Sequence, residues 1–222
     1  MQTKEIYKSF YTKSHMLVDY MVSMLQLEEG MRVLEPCAGD GVFIEALLKK
    51  ELELFINSYE LNPEAFSFLA MKYADFKDVC VKHADTLIDE ELTLFSSLGG
   101  AYNRIIANPP YGGWQDYDKR KKLKKLYGDI YVKETYSLFL IRCIKLLLEH
   151  GRLVFIIPDT YLNLHMHTEL RKLLLTNTKL IEIALFPSAF FPDVNFGYSN
   201  LSIITLEKSD NLNDCLNNVS SV

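Results

Sequence analysis

The sequence has 222 residues, of which 49% are hydrophobic and 24% are charged, and its net charge is −5. This length and composition are typical of one α/β domain with a sizeable buried core. Residues 1–10 lack the apolar stretch of a signal peptide, and no apolar run approaches the roughly 20 residues of a membrane span, so we expect no membrane association and a cytoplasmic location.

Helix and strand patterns alternate from the start of the chain. Residues 14–27 carry apolar side chains at helical spacing and predict a helix. Residues 31–34 predict a short strand, which is followed by the turn 35–41 with its two glycines and by a helix over 42–50. This order is a strand, a glycine turn and a helix.

Two further strands follow, each with an acidic residue at its end. Residues 54–59 predict a strand that leads into Glu60, and Pro63 is placed to begin the next helix. Residues 79–81 predict a third, short strand, with Asp85 just beyond it.

The fourth predicted strand, residues 104–107, leads into the tetrapeptide Asn108-Pro109-Pro110-Tyr111. The two prolines cannot continue a strand ladder, so the strand must end there. Residues 112–131 are polar, basic and aromatic, and we interpret them as a long loop with room for one helical turn.

The second half predicts helices over 134–149 and 161–176, a buried strand over 153–157, and two last strands over 180–186 and 201–206. No helix separates the two last strands, so the final strand is expected to run antiparallel. The predicted fold class is α/β, with a doubly wound, mostly parallel, seven-stranded Rossmann-like sheet. Its domain is expected to span 1–208, followed by a disordered tail over 209–222.

Ligands of open parallel sheets bind beyond the carboxyl ends of the strands, where these polar residues fall. Gly39 and Gly41 allow a ligand to approach the backbone closely, although a plain tight turn also explains them. The turn lacks G-K-[ST], and Glu35 and Asp40 would repel a pyrophosphate but tolerate a positively charged sulfonium. Glu60 is placed to accept hydrogen bonds from ribose hydroxyls, and Asp85 is placed to accept one from an adenine amino group. The alternative for each residue is a solvated acid in a loop.

Three motifs resemble those of the gamma-class N6-adenine DNA methyltransferases of restriction–modification systems, which are class I S-adenosylmethionine-dependent enzymes. They are Asn108-Pro109-Pro110-Tyr111, Pro36-x-x-Gly39-x-Gly41-x-Phe43, and Phe10-Tyr11-Thr12, where Lys13 replaces the usual proline. The resemblance spans nearly the whole chain and implies S-adenosylmethionine as the cofactor. The implied cofactor-binding residues are Thr12, Glu35, Pro36, Gly39, Gly41, Phe43, Glu60, Leu61, Asp85 and Asn108.

The same resemblance assigns catalysis to Asn108, Pro109, Pro110 and Tyr111. Carbonyl oxygens of the first two residues would accept N6–H bonds and direct the nitrogen lone pair toward the methyl group, on a backbone that the prolines hold rigid. Tyr111 and Phe191, or alternatively Phe196, are expected to stack on an adenine flipped out of the duplex. No metal is required.

A dense basic run follows the tetrapeptide, and Trp114, Tyr117 and Tyr127 interleave with it. We expect its first four cations to contact the DNA backbone, since such contacts supply non-specific affinity. A solvated loop is the alternative interpretation. These cations are Lys119, Arg120, Lys121 and Lys122.

Members of this family usually carry a target-recognition region, and none is predicted after Lys208. We therefore expect one of three arrangements: the chain is a fragment of a larger enzyme, a separate domain or subunit supplies recognition, or the long loops do so. Three other functions stay open: methylation of RNA adenine, methylation of a protein glutamine amide, and non-catalytic nucleic-acid binding by a degenerate domain. The sequence gives no basis for predicting the oligomeric state.

Overall fold

The computed structural model describes residues 14–112, 116–186 and 200–217. Thr12, Trp114, Phe191 and the alternative Phe196 lie outside the described residues, so the roles predicted for them stay predictions.

The strands of the described residues form one seven-stranded sheet in the order β3-β2-β1-β4-β5-β7-β6. Strands β1 to β5 pair in parallel, and β7 runs antiparallel to both of its neighbours, β5 and β6. This confirms the predicted fold class. The strands are β1 Arg32–Glu35, β2 Phe55–Glu60, β3 Val79–His83, β4 Tyr102–Ala107, β5 Leu147–Pro158, β6 Thr178–Phe186 and β7 Leu201–Lys208.

Helices connect the parallel strands, and none within the described ranges is both long and apolar enough to cross a bilayer. Packing is tight around the central strands, where side chains of β4 and β5 such as Ile105 and Phe155 are fully buried. The helices are α1 His15–Met24, α2 Val42–Leu48, α3 Pro63–Lys72, α4 Glu90–Ser97, α5 Tyr117–Tyr127, α6 Thr135–Leu146, α7 Thr168–Asn177 and α8 Leu212–Leu216.

The long loop predicted over 112–131 is wrong for most of its length, because residues Tyr117–Tyr127 form an α-helix. Asp116 caps this helix by accepting the Lys119 N–H at 2.7 Å, and Gly128 ends it. Leu123 and Tyr127, four residues apart, are buried on the inner face of the helix, and the lysines from Lys121 onward are exposed.

The helix predicted to reach residue 149 ends at Leu146, and β5 begins directly after it. Leu147 pairs with Tyr102, and the register then shifts so that Arg152 pairs with Arg104. The intervening residues bulge outward, with His150 at φ +60°. The helix predicted over 161–176 is also shorter, since two 3₁₀ turns precede α7.

The disorder predicted for the tail does not hold for residues 209–217, which include helix α8. Asn211 caps this helix, and Cys215 is buried beneath it with its thiol donating to the Ser209 carbonyl at 3.4 Å. One buried side chain therefore anchors a polar segment whose composition suggested disorder. Residues 218–222 lie outside the described part of the chain.

His167 is fully buried between two hydroxyl groups. Its Nε2 lies 3.0 Å from Tyr136 Oη and its Nδ1 lies 3.3 Å from Ser137 Oγ. Burial, with a smaller contribution from Arg171, lowers the pKa of His167 from 6.5 to about 4. The folded protein therefore keeps this imidazole neutral over a pH range in which the unfolded chain binds a proton.

We expect His167 to make the fold less stable as pH falls from about 6.5 toward 4, because protons then favour the unfolded state. His167→Gln removes this titration and should flatten the dependence of unfolding free energy on pH in that window. Urea unfolding at several pH values measures both slopes. Equal slopes in the two proteins contradict the assignment.

Candidate active site

The carboxyl ends of the central parallel strands bring the predicted site residues to one edge of the sheet. Glu35 ends β1 and Glu60 ends β2, while Asn108 directly follows β4. Glu35 pairs in register with Ser58, and Ala107 pairs with Phe155. The two acids and the tetrapeptide therefore share the edge at which ligands of such sheets bind.

The turn after β1 uses both of its glycines in the left-handed region, at φ +57° for Gly39 and φ +81° for Gly41. A Cβ on Gly41 would lie 2.6 Å from Leu69 Cδ2 and 3.3 Å from Tyr73 Oη. Only glycine fits this position without strain, because side-chain-bearing residues meet a steric penalty there. Phe43, for which the resemblance implied cofactor binding, lies in the first turn of α2 and is buried in the hydrophobic core.

Glu60 is largely buried and holds the glycine turn by its carboxylate. Its Oε2 accepts the Gly39 N–H at 2.7 Å, and its Oε1 accepts the Asn62 N–H at 2.7 Å. Burial raises the pKa of Glu60, and the backbone hydrogen bonds oppose that shift. Each carboxylate oxygen keeps a second lone pair, so Glu60 retains acceptor capacity for ribose hydroxyls.

Three acidic side chains interact at this turn. The pKa of Glu35 is raised by burial and then by the nearby Asp40 and Glu60, while burial is also the main cause of the raised pKa of Asp40. A cation placed among them would relieve this repulsion, and a sulfonium amino acid supplies both a sulfonium and an ammonium charge. The acidic residues at the turn therefore fit S-adenosylmethionine as a ligand.

Asp85 follows β3 and its carboxylate is engaged on both oxygens. Oδ1 accepts the Leu87 N–H at 3.1 Å, and Oδ2 forms an ion pair with Lys119 Nζ on α5. The basic helix thus contacts the loop predicted to bind adenine. Leu61 is 43% exposed beside this loop, and its carbonyl lies 3.1 Å from His83 Nε2.

In the tetrapeptide, Pro109 is buried, whereas Asn108 and Pro110 are half-buried. The Tyr111 hydroxyl donates to Asn108 Oδ1 and lies 3.3 Å from the Ile156 carbonyl oxygen. The stacking role predicted for Tyr111 requires an accessible ring, but only 8% of Tyr111 is exposed in this conformation. In this conformation Tyr111 orients the amide of Asn108 with its carbonyl oxygen held in place.

The glycine turn and the tetrapeptide are neighbours. Burial raises the pKa of the Tyr111 hydroxyl, with a smaller contribution from the Cys37 thiol, a residue of the turn. Pro36, which is buried in the same turn, accepts the Thr86 hydroxyl through its carbonyl oxygen at 2.5 Å. Turn, β3 loop and tetrapeptide therefore form one continuous site.

The four predicted DNA-contacting cations differ in their exposure on α5. Lys121 and Lys122 are exposed, whereas Lys119 and Arg120 are half-buried and Lys119 is paired with Asp85. Among these four cations, exposure therefore favours a phosphate-contacting role for Lys121 and Lys122, and the neighbouring Lys124 and Lys125 are exposed as well.

Three residues that position the β3 loop were missed by the sequence analysis. Thr86 bonds to Pro36, the Tyr127 hydroxyl donates to the Leu87 carbonyl at 3.3 Å, and Arg142 donates to the Thr86 carbonyl at 3.2 Å. The one signal for Arg142 in the sequence is a charge within an otherwise apolar helical face. For the other two, no signal exists, because their partners are distant in sequence.

This fold and this edge define the class I S-adenosylmethionine-dependent methyltransferases, whose methyl donor is S-adenosylmethionine. The likeness extends to a solved class I methyltransferase of Listeria monocytogenes, described as putative, with a TM-score of 0.67 over 88% of this chain and 59% of that chain at 20% identity. The M protein of the type I restriction enzyme EcoKI gives a TM-score of 0.69 over 91% of this chain and 44% of that chain at 18% identity.

Residues 40–191 match the model of the Eco57I restriction-modification methylase family, and the chain belongs to this family. Type II methyltransferase M.AccI of Acinetobacter calcoaceticus is 30% identical over 199 residues, which cover 86% of this chain and 35% of that protein. Type II methyltransferase M.HincII of Haemophilus influenzae is 28% identical over 212 residues, covering 92% of this chain and 38% of that protein. The chain thus spans well under half the length of these relatives.

Proposed function

We propose that the chain transfers a methyl group from S-adenosylmethionine to N6 of an adenine that has left the DNA duplex. The observation that carries the proposal is the position of the Asn108 amide at the tip of β4, beside the glycine turn and held by the Tyr111 hydroxyl. Membership of a restriction-modification methylase family supports DNA as the acceptor.

The residues of the turn fit the donor molecule in separate ways. The backbone at Gly39 and Gly41 leaves room for close approach, and Glu60 retains lone pairs for ribose hydroxyls. Burial raises the pKa of Glu35 and of Asp40, so charging these two acids is costly in the empty turn, and a cationic ligand would offset that cost. Bound S-adenosylmethionine supplies an electrophilic methyl group and a neutral sulfide leaving group.

The acceptor nitrogen is the difficult partner, because its lone pair is conjugated with the purine ring. The Asn108 Oδ1 atom accepts the Tyr111 hydroxyl, and an amide oxygen can accept more than one hydrogen bond. Asn108 Oδ1 and the Pro109 carbonyl oxygen are the acceptors we assign to the two N6–H groups. Acceptors fixed before the reaction stabilise the positive charge that grows on nitrogen during transfer.

Stacking of Tyr111 on the target base remains part of the proposal, and it requires the hydroxyl to leave Asn108 and the Ile156 carbonyl. Base capture would then exchange the hydrogen bond of this one hydroxyl donor, which lies near both oxygens, for an aromatic contact. Such a contact is worth roughly 1–3 kcal/mol in nucleic-acid complexes. Phe191 is the proposed second stacking residue.

Incubating the chain with labelled S-adenosylmethionine and unmethylated mixed-sequence DNA tests the proposal. Digestion of the product should release labelled N6-methyldeoxyadenosine. Parallel incubations with RNA and with a glutamine-containing peptide distinguish the other two acceptors. Label in RNA or peptide alone, or in a different deoxynucleoside, contradicts the proposal.

We expect the exposed lysines of α5 to contact DNA phosphates. Changing Lys121 and Lys122 together to Gln should reduce the slope of log affinity against log salt concentration by about 2, since each phosphate contact contributes roughly 0.9. Fluorescence anisotropy with a short duplex between low and moderate salt measures this slope.

Lys49 and Lys50 provide the matched control, because both are exposed and follow the carboxyl end of α2, away from the candidate site. The same pair of substitutions there should leave the slope unchanged. A slope that is equal in all three proteins rejects α5 as a phosphate-contacting helix.

A further inference from the structure

We infer that Arg142 is a positioning residue for the adenine end of the cofactor site, because it holds the loop that carries Asp85. The inference rests on the proposed function, in which Asp85 accepts the cofactor's adenine amino group. Arg142 lies on α6 and is only 4% exposed. Nothing in the reaction itself requires this side chain, so its role is to fix other groups.

Arg142 donates three hydrogen bonds, two to carbonyl oxygens of the β3 loop and one to a side chain of helix α4. Its Nε donates to the Thr86 carbonyl at 3.2 Å, and its Nη2 donates to the Asp89 carbonyl at 2.7 Å and to Thr93 Oγ1 at 2.9 Å. Asp89 is also the N-cap of α4, where its side chain accepts the Leu92 N–H at 2.9 Å. One guanidinium thus fixes both the residue after Asp85 and the start of the following helix.

Thr86 connects this clamp to the glycine turn. Its carbonyl accepts from Arg142, while its hydroxyl donates to the Pro36 carbonyl at 2.5 Å. Asp85 lies directly before Thr86, so the backbone that orients its carboxylate is fixed on one side by α6 and on the other by the turn. Movement of the guanidinium would therefore change the position of Asp85 relative to Gly39 and Gly41.

The chemistry of the side chain supports this role over simple packing. A buried cation carries a desolvation cost that Leu or Met would avoid at the same position. The described partners of Arg142 are neutral carbonyl and hydroxyl oxygens, which form charge-assisted hydrogen bonds with a planar, forked donor. Lysine has one donor atom and cannot reach carbonyls of residues 86 and 89 in the same geometry.

Binding of two ligands to the full chain by calorimetry tests the inference. One is S-adenosylhomocysteine, and the other is its inosine analogue, in which a carbonyl oxygen replaces the adenine amino group. The wild-type chain should prefer the adenine ligand by roughly tenfold or more, because the analogue places a carbonyl oxygen, which is an acceptor, where the amino group would donate to Asp85. Arg142→Met should weaken binding of the adenine ligand by about tenfold to a hundredfold and binding of the analogue much less, so that the variant no longer prefers adenine.

Arg152→Met is the matched control. Arg152 is also buried, at 9% exposure, but it bonds to the Met24 carbonyl and Glu207, far from the β3 loop. Its loss should lower stability while leaving the preference for adenine intact. If Arg142 only stabilised the fold, Arg142→Met and Arg152→Met would change the affinities for the two ligands in the same way.

Arg142→Lys keeps the charge and serves if the Met variant does not fold. We expect it to retain part of the preference, between the wild-type chain and Arg142→Met. If either folded variant binds S-adenosylhomocysteine with wild-type affinity and prefers it to the analogue as strongly as the wild-type chain does, the inference about Arg142 is wrong, and the proposed function is unaffected. A wild-type chain that binds S-adenosylhomocysteine without preferring it overturns the Asp85 assignment, and one that binds neither ligand overturns the proposed function as well.

Discussion

Asn108→Ala is expected to reduce methyl transfer by at least a hundredfold to a thousandfold, which is the usual effect of removing one preorganised hydrogen-bonding group from an active site. The substitution removes Oδ1, the acceptor that the Tyr111 hydroxyl orients at the tip of β4. Affinity for S-adenosylhomocysteine should change by only a few-fold, because Glu60 and the glycine turn are untouched. Single-turnover transfer of labelled methyl and calorimetric titration measure the two effects separately.

Asn103→Ala is the matched control for this prediction. Asn103 lies on the same strand near its opposite end, and its Oδ1 accepts the Arg32 N–H at 2.9 Å. Loss of that bond should leave transfer close to the wild-type rate. If Asn108→Ala keeps half of the wild-type rate, or loses cofactor affinity in parallel with rate, the assigned role of Asn108 is wrong.

The architecture could be predicted because strand periodicity and turn residues are local signals. Glu35, Glu60 and Asn108 each follow an apolar run, and parallel strands bring such ends together. The antiparallel direction of β7 followed from the lack of a helix before it. In each case the sequence signal for the element lies within a few residues. The alternating helices and strands then assemble into the layered sheet because each must bury its apolar face.

Helix α5 could have been predicted, although its lysines obscured it. Asp116 is an N-cap residue, Leu123 and Tyr127 are four apart, and Gly128 stands where helices end. Helix α4 carried a similar signal in Asp89 followed by Glu90 and Glu91. These short helices each have one narrow apolar face, so a search for a broad stripe of apolar residues overlooks them.

The inward position of Tyr111 and the clamp at Arg142 could not be predicted in this way. The Tyr111 hydroxyl reaches Ile156, 45 residues along the chain, and Arg142 reaches Thr86, 56 residues back. Such contacts depend on how elements stack in three dimensions, and nothing in the local pattern encodes them. The resemblance implied a stacking role for Tyr111, but its inward conformation is determined by the packing of the elements around it.

Gly41→Ala is expected to destabilise the fold strongly and to abolish cofactor binding. Any residue with a Cβ costs about 1–2 kcal/mol at this left-handed backbone. The added methyl would also lie 2.6 Å from Leu69 Cδ2 and 3.3 Å from Tyr73 Oη, and overpacking of this kind costs about 1–3 kcal/mol more. Thermal unfolding should shift down by roughly 2–4 °C for each kcal/mol in a chain of this size.

Gly30→Ala separates the two contributions, since Gly30 has φ +75° but no heavy atom within 4 Å of an added Cβ. It should show the backbone penalty alone and bind S-adenosylhomocysteine normally, because the 28–31 turn lies before β1 at the opposite edge of the sheet. The additional loss of stability in Gly41→Ala, compared with Gly30→Ala, then measures the contact between the glycine turn and α3. Equal shifts in the two variants, or normal cofactor affinity in Gly41→Ala, would show that α3 does not constrain this turn.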